Sequence, residues 1–107
     1  MTRIYNKLIR DNIPEICEKN NQLAVTKVLD DKKYKSALKT KLLEETIEYL
    51  KSEELMELAD ILEVVDALSK AQDSSFDEVI RLKSEKAQEN GAFDKKLLLI
   101  KTKDMRK

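Results

Sequence analysis

Residues 38–68 read LKTKLLEETIEYLKSEELMELADILEVVDAL, and this stretch decides the fold. Apolar residues recur every three or four positions on both sides of a polar break at 51–54, which is the spacing of two amphipathic helices. Ser52 can begin a helix, and the acids after it suit the positive end of a helix dipole. The stretch therefore predicts an antiparallel helix hairpin with a short turn.

The second helix of this hairpin is apolar on two sides. Its main stripe contains Leu55, Leu58 and Leu62, and a second line contains Ile61, Val64 and Leu68. We expect this helix to be the most enclosed one of the protein. A hairpin with two apolar faces usually needs a second subunit to cover it, which predicts a homodimer or a higher homo-oligomer.

Capping residues on either side of the hairpin predict two more helices. Pro14 suits the first turn of a helix that begins near Asp11 or Asn12. Ser75 and Glu78 have the spacing of a capping box, and Gly91 stands where a C-terminal cap is expected. We expect four helices, at about 11–19, 31–51, 52–72 and 75–90.

The composition supports an all-α fold in a single domain. One Gly and one Pro in 107 residues leave few helix breakers. The runs at 23–29 and 97–101 are β-branched or apolar and are candidates for short extended segments. The length fits one domain over residues 1–107.

Charge and residue types exclude several classes of protein. The 21 basic residues balance 21 acidic ones, which argues against binding to nucleic acid or to an anionic membrane. The absence of His and the single Cys exclude Cys/His zinc patterns, His-based triads and an internal disulfide framework. No signal-peptide core and no long apolar run is present, which predicts a cytoplasmic protein. Any metal must bind to oxygen ligands, as Mg²⁺ does.

Two pairs of acids flank the turn of the hairpin. Glu45 and Glu48 precede it, and Glu57 and Asp60 follow it. Residues three apart project from the same side of a helix. Because Glu45 and Asp60 are equally far from the turn, as are Glu48 and Glu57, an antiparallel hairpin brings four carboxylates to one patch with a long edge of about 4.5 Å.

Such a patch predicts a metal site. Four uncompensated carboxylates repel one another, and a divalent cation relieves that repulsion. Oxygen ligands fit Mg²⁺, or Mn²⁺ in its place. The alternative is that the acids are solvated and that those at 44–48 pair with Lys41 and Lys51. The symmetric placement of the two pairs about the turn favours the metal.

Three blocks of sequence, in this order along the chain, carry a family resemblance. Residues 5–16 read YNKLIRDNIPEI, residues 41–50 and 57–68 contain ExxE and ExxD, and residues 86–99 read KAQENGAFDKKLLL. Together they resemble the MazG-like, all-α nucleoside triphosphate pyrophosphatase superfamily, and within it the small proteins that begin with a YNKLVRDKIPEI-type segment. Asn12 in place of Lys and residues 90–93 in place of Arg-Gly-Gly-Phe depart from the family pattern at expected substrate contacts.

The resemblance implies a four-helix MazG-like bundle around the hairpin and an activity. The activity is Mg²⁺-dependent hydrolysis of a nucleoside triphosphate, or of a related nucleotide such as phosphoribosyl-ATP, to the monophosphate and pyrophosphate, in the service of the nucleotide pool. The implied metal ligands are Glu45, Glu48, Glu57 and Asp60. The superfamily also implies a homodimer or a higher oligomer.

Further residues are candidates for steps of this reaction. Glu45 or its neighbour Glu44 is the candidate for orienting the attacking water. The candidates for binding phosphate oxygens are Lys41, Lys83, Lys86, Lys7 and Arg10. The alternative for each lysine is a solvated surface residue. The alternative for the whole protein is a non-catalytic helical interaction module with a solvated or ion-binding acidic face.

Overall fold

A computed structural model describes residues 1–106 of the chain. It contains four α-helices: α1 (Ile13–Lys19), α2 (Asp31–Ser52), α3 (Leu55–Ala71) and α4 (Phe76–Asn90). No strand occurs among the described residues, and the runs at 23–29 and 97–101 are irregular chain. The all-α prediction is confirmed, and each helix lies within three residues of its predicted bounds.

Asn12 and Asp30 are the N-cap residues of the first two helices. Asn12 occupies the N-cap position of α1 without a side-chain hydrogen bond, and proline follows in the first turn as predicted. Asp30 caps α2, because its side chain accepts a hydrogen bond of 2.8 Å from the backbone N–H of Lys33. This bond satisfies one of the free donors of the first turn.

A two-residue turn joins α2 to α3. Glu53 adopts the left-handed conformation at φ 56°, and its N–H donates a 2.7 Å hydrogen bond to the carbonyl of Tyr49. Glu54 is the N-cap of α3. The prediction that Ser52 begins α3 was wrong: Ser52 is the last residue of α2, and its hydroxyl accepts a 3.2 Å hydrogen bond from the N–H of Glu54. The hydroxyl therefore closes the turn and leaves α3 uncapped by a side chain.

Helices α2 and α3 pack against each other over this turn. Leu38 of α2 and Val64 of α3 are the buried apolar residues among those described, with 3% and 7% of their surface exposed. Ser69 of α3 is also buried, and its hydroxyl donates a 2.7 Å hydrogen bond to the carbonyl of Asp66. Leu38 and Val64 therefore mark a small core between the two helices of the hairpin. The prediction that α3 is enclosed on both of its apolar sides is correct for one side only.

The other apolar side of the hairpin is uncovered. We call it the apolar face; its residues are 39–82% exposed and are Leu43, Ile47, Leu50, Leu55, Leu58 and Leu62. The main stripe predicted for α3 thus lies outside the hairpin, and the second line packs inside. The row on α2, at 43–50, and the row on α3, at 55–62, lie on either side of the turn and span the same number of residues. From Leu43 to Glu45 the helix turns by about 200°, which places the apolar face away from the acids.

The chain divides into two compact units, Met1–Phe76 and Asp77–Lys107. In the second unit, Gly91 ends α4 at φ +84°, and its N–H donates a 2.8 Å hydrogen bond to the carbonyl of Ala87. The predicted C-terminal cap is confirmed, since this conformation favours glycine. Beyond it, the four apolar residues at 97–100 are 79–86% exposed. The single domain predicted for residues 1–107 stays a prediction.

Across residues 1–106, none of the four helices combines the length and the apolar character that a membrane span needs.

We expect the substitution Leu38→Ala to lower the free energy of unfolding by about 2–5 kcal/mol, because it leaves a cavity in the only packed layer of the hairpin. Urea denaturation measures this loss. The matched control is Leu23→Ala, because Leu23 is 84% exposed. Equal losses in the two variants would contradict a core centred on Leu38.

Candidate metal centre

Three carboxylates converge across the hairpin, one from α2 and two from α3. Oxygens of Glu45, Glu57 and Asp60 all lie within 4.8 Å of one another, and each of the three residues is half-buried. Glu57 and Asp60 are three residues apart on one side of α3, and the antiparallel pairing brings Glu45 beside them. The predicted convergence of acids is confirmed for these three residues, which we call the acid cluster.

Glu48, the predicted fourth ligand, is exposed at the rim of this cluster. It is not one of the three residues whose oxygens lie within 4.8 Å. Its negative charge nevertheless raises the pKa of Glu57, so the two side chains are near each other. Its role as a metal ligand stays a prediction.

The electrostatics of the cluster are those of crowded acids. Partial burial raises the pKa of Glu57 above its ordinary value of 4.5, and the charges of Asp60, Glu48, Glu45 and Glu54 raise it further, in that order. Each of these effects disfavours the ionised form. A cation placed among the carboxylates would reverse the effect of the charges.

Lys41 provides one positive charge from within α2. Its Nζ lies 3.4 Å from Oε1 of Glu45 and 3.8 Å from Oε2 of Glu44. The pairing of Lys41 with neighbouring acids, predicted as the alternative to metal binding, is therefore present. Lys41 pairs with one oxygen of Glu45, and the other two carboxylates of the cluster are not paired with it.

Arg10 provides a second positive charge from the segment before α1. Its Nη2 donates a 2.9 Å hydrogen bond to Oδ1 of Asp60, and its Nη1 lies 3.6 Å from Oε1 of Glu63. The sequence singles out Arg10 for its charge but misses both partners. Fifty positions separate Arg10 from Asp60, and no periodicity connects residues so far apart.

The remaining predicted phosphate-binding residues lie on exposed surface. Lys7 has its Nζ 5.7 Å from the centre of the Tyr5 ring. Lys83 and Lys86 are exposed on α4 in the second unit. Their part in substrate binding stays a prediction.

The donor set of the acid cluster fits a hard divalent ion. Carboxylate oxygens are the ligands of Mg²⁺ at about 2.1 Å, so two oxygens on one ion are at most about 4.2 Å apart. Small side-chain rotations close a spacing of 4.8 Å to this value. Three carboxylates leave octahedral positions for water and for phosphate oxygens.

The cluster lies beside, and not in, a depression of the first unit. This depression has a volume of about 280 Å³ and is lined by Ala59, Leu62, Glu63, Asp66 and Phe76. None of the three cluster residues lines it. A substrate held at the cluster would therefore need further walls, which the apolar and aromatic lining of this depression or a second subunit can supply.

Comparison with protein-family models, with curated proteins and with solved structures gave no match.

We expect the substitution Glu57→Gln to raise the melting temperature of the metal-free protein at pH 7. Because the folded protein has the higher pKa, ionised Glu57 destabilises the fold at pH 7, and this penalty disappears as the pH falls below 4.5. Melting temperatures of the variant and the wild type, measured with a chelator between pH 4 and pH 8, show whether the difference between them grows or shrinks as the pH rises. Glu18→Gln, on the exposed surface of α1, is the control for loss of one charge. An advantage of Glu57→Gln that grows toward low pH would contradict the electrostatic assignment.

Proposed function

We propose that this protein is a Mg²⁺-dependent nucleotide pyrophosphohydrolase that cleaves a nucleoside triphosphate, or a related nucleotide, into the monophosphate and pyrophosphate. One observation carries the proposal: Glu45 of the ExxE segment meets Glu57 and Asp60 of the ExxD segment within 4.8 Å. The other support is the resemblance of three sequence blocks to the MazG-like superfamily. Proton-transfer chemistry based on His is excluded because the chain has none.

In this proposal, the residues of the cluster bind the metal ion and position the attacking water. Glu45, Glu57 and Asp60 hold the ion, and Glu48 joins them from the rim. When bound, Mg²⁺, or Mn²⁺ in its place, neutralises phosphate charge and lowers the pKa of a coordinated water. Glu44 or Glu45 orients the attacking water and accepts its proton.

In this proposal, basic residues of the chain bind the phosphate oxygens. Lys41 lies at the cluster already, where its Nζ contacts Glu44 and Glu45. Lys7, Arg10, Lys83 and Lys86 are the further candidates. A lysine ammonium or arginine guanidinium stabilises the charge that develops on the departing pyrophosphate.

A second copy of the chain completes the fold in this proposal. The apolar face exposes six large side chains along both helices of the hairpin, and uncovered faces of this kind mark interaction sites. Two hairpins packed through their apolar faces form a four-helix bundle, with the acid clusters on its outer surfaces. The protein is then a homodimer or a higher homo-oligomer.

We expect Asp60→Asn to reduce pyrophosphate release at least about 100-fold, because it removes a metal ligand. The assay is a panel of nucleoside triphosphates and phosphoribosyl-ATP with Mg²⁺ or Mn²⁺ and a pyrophosphate readout, and circular dichroism confirms the fold. Glu18→Gln, far from the cluster in sequence, is the control that retains activity. Absence of pyrophosphate from every nucleotide of the panel would refute the proposal.

We expect Leu43→Glu to convert the protein to a monomer, because it places a charge on the apolar face that the second copy would cover. Sedimentation velocity measures the assembly of the wild type and the variant. Leu98→Glu, in the exposed run at 97–100, makes the same change outside the hairpin. A wild-type protein that sediments as a monomer at all concentrations would remove the basis for the bundle.

The competing proposal is a non-catalytic helical module. The ion pairs of Lys41 and Arg10 with the cluster favour it, because they show that the protein itself supplies cations to these acids. A bound metal raises the melting temperature of the protein that binds it. If the wild-type protein is inactive and Mg²⁺ does not change its melting temperature, the non-catalytic module is supported.

A further inference from the structure

One cation of the chain already touches the acid cluster from a distant part of the sequence. Arg10 lies in the non-helical segment before α1 and reaches across to α3, where it bonds Asp60 at 2.9 Å and approaches Glu63 at 3.6 Å. Asp60 and Glu63 are three residues apart, so the guanidinium spans one turn of the helix. Asp60 is at the same time one of the three candidate metal ligands.

These two roles of Asp60 conflict. A guanidinium keeps its positive charge at every physiological pH, so it repels a divalent cation held by the same carboxylate. A carboxylate oxygen that accepts a charge-assisted hydrogen bond is also a weaker donor to a metal. Glu63 lies outside the cluster and offers the guanidinium a second partner beside Asp60.

We propose that Arg10 is an internal competitor of the metal: it occupies Asp60 in the metal-free protein, and metal binding displaces it. This inference rests on the proposed function, since it needs the metal site. The displaced guanidinium stays near the metal-bound cluster, because Glu63 is its second partner there. It then becomes available to the phosphate oxygens of a nucleotide. Metal loading and phosphate binding are thereby coupled through one side chain.

The first test measures Mn²⁺ affinity by isothermal titration calorimetry. We expect Arg10→Gln to bind Mn²⁺ on the order of tenfold more tightly than the wild type, because removal of one positive charge about 5 Å from the ion favours binding by that order. Arg3→Gln makes the same change of charge in the same segment and should match the wild type. Equal affinity of the two variants, or weaker binding by Arg10→Gln, would overturn the inference.

The second test follows displacement in the wild-type chain. The NMR signal of the Arg10 Nε–H should move on saturation with Mg²⁺ to the position that it has in Asp60→Asn. A signal unchanged by saturating Mg²⁺ would show that the pair persists and would overturn the inference. Failure of all variants to bind Mn²⁺ would refute the metal site itself, whereas equal binding by all would leave the metal site in place and remove the role of Arg10.

Discussion

The turn at residues 53–54 sets the register of α2 against α3, and both long sides of the hairpin depend on that register. The chain makes this turn without glycine. Glu53 adopts a left-handed conformation, at a cost of about 1–2 kcal/mol for a residue with a side chain. The hydrogen bonds from the N–H of Glu53 to Tyr49 and from the N–H of Glu54 to Ser52 offset this cost. Insertion of one residue would rotate α3 by about 100° and separate Glu45 from both of its partners.

The acid cluster illustrates how a fold tolerates like charges at close range. Glu45, Glu57 and Asp60 are half-buried, and their like charges repel one another at this range. Lys41 and Arg10 each neutralise one carboxylate, while Glu57 retains a raised pKa. The two bases thus leave part of the negative charge of the cluster uncompensated.

Local chemistry made the helices predictable. Caps, the scarcity of Gly and Pro, and apolar spacing located all four. The placement of the two acid pairs on either side of the turn predicted that Glu45 and Asp60 meet, although the turn lies one residue later than equal distance requires. Periodicity could not decide which apolar side of α3 packs inside, because Leu58 and Val64 lie on stripes of similar character and only the partner helix distinguishes them. Ser52 was misassigned because its hydroxyl can cap a helix or close a turn, and backbone geometry decides between the two.

Contacts between distant segments could not be predicted from the sequence, for a different reason. Arg10 reaches Asp60 across fifty positions, and an isolated arginine in a basic segment carries no sign of its partner. The part of the candidate site that lies within the helix hairpin could therefore be predicted from the sequence. What lies beyond that unit depends on how the loop before α1 folds back, which no spacing rule encodes.

The exposed apolar run at 97–100 has a consequence for the behaviour of the protein in solution. Four adjacent apolar side chains on irregular chain are the type of segment that pairs with copies of itself into aggregates. Lysines flank the run on both sides, at 95, 96, 101 and 103, and act as gatekeepers through mutual repulsion between chains. That repulsion extends about 8 Å at physiological ionic strength and about 3 Å in 1 M salt. The colloidal stability of this segment is thus governed by the surrounding electrolyte.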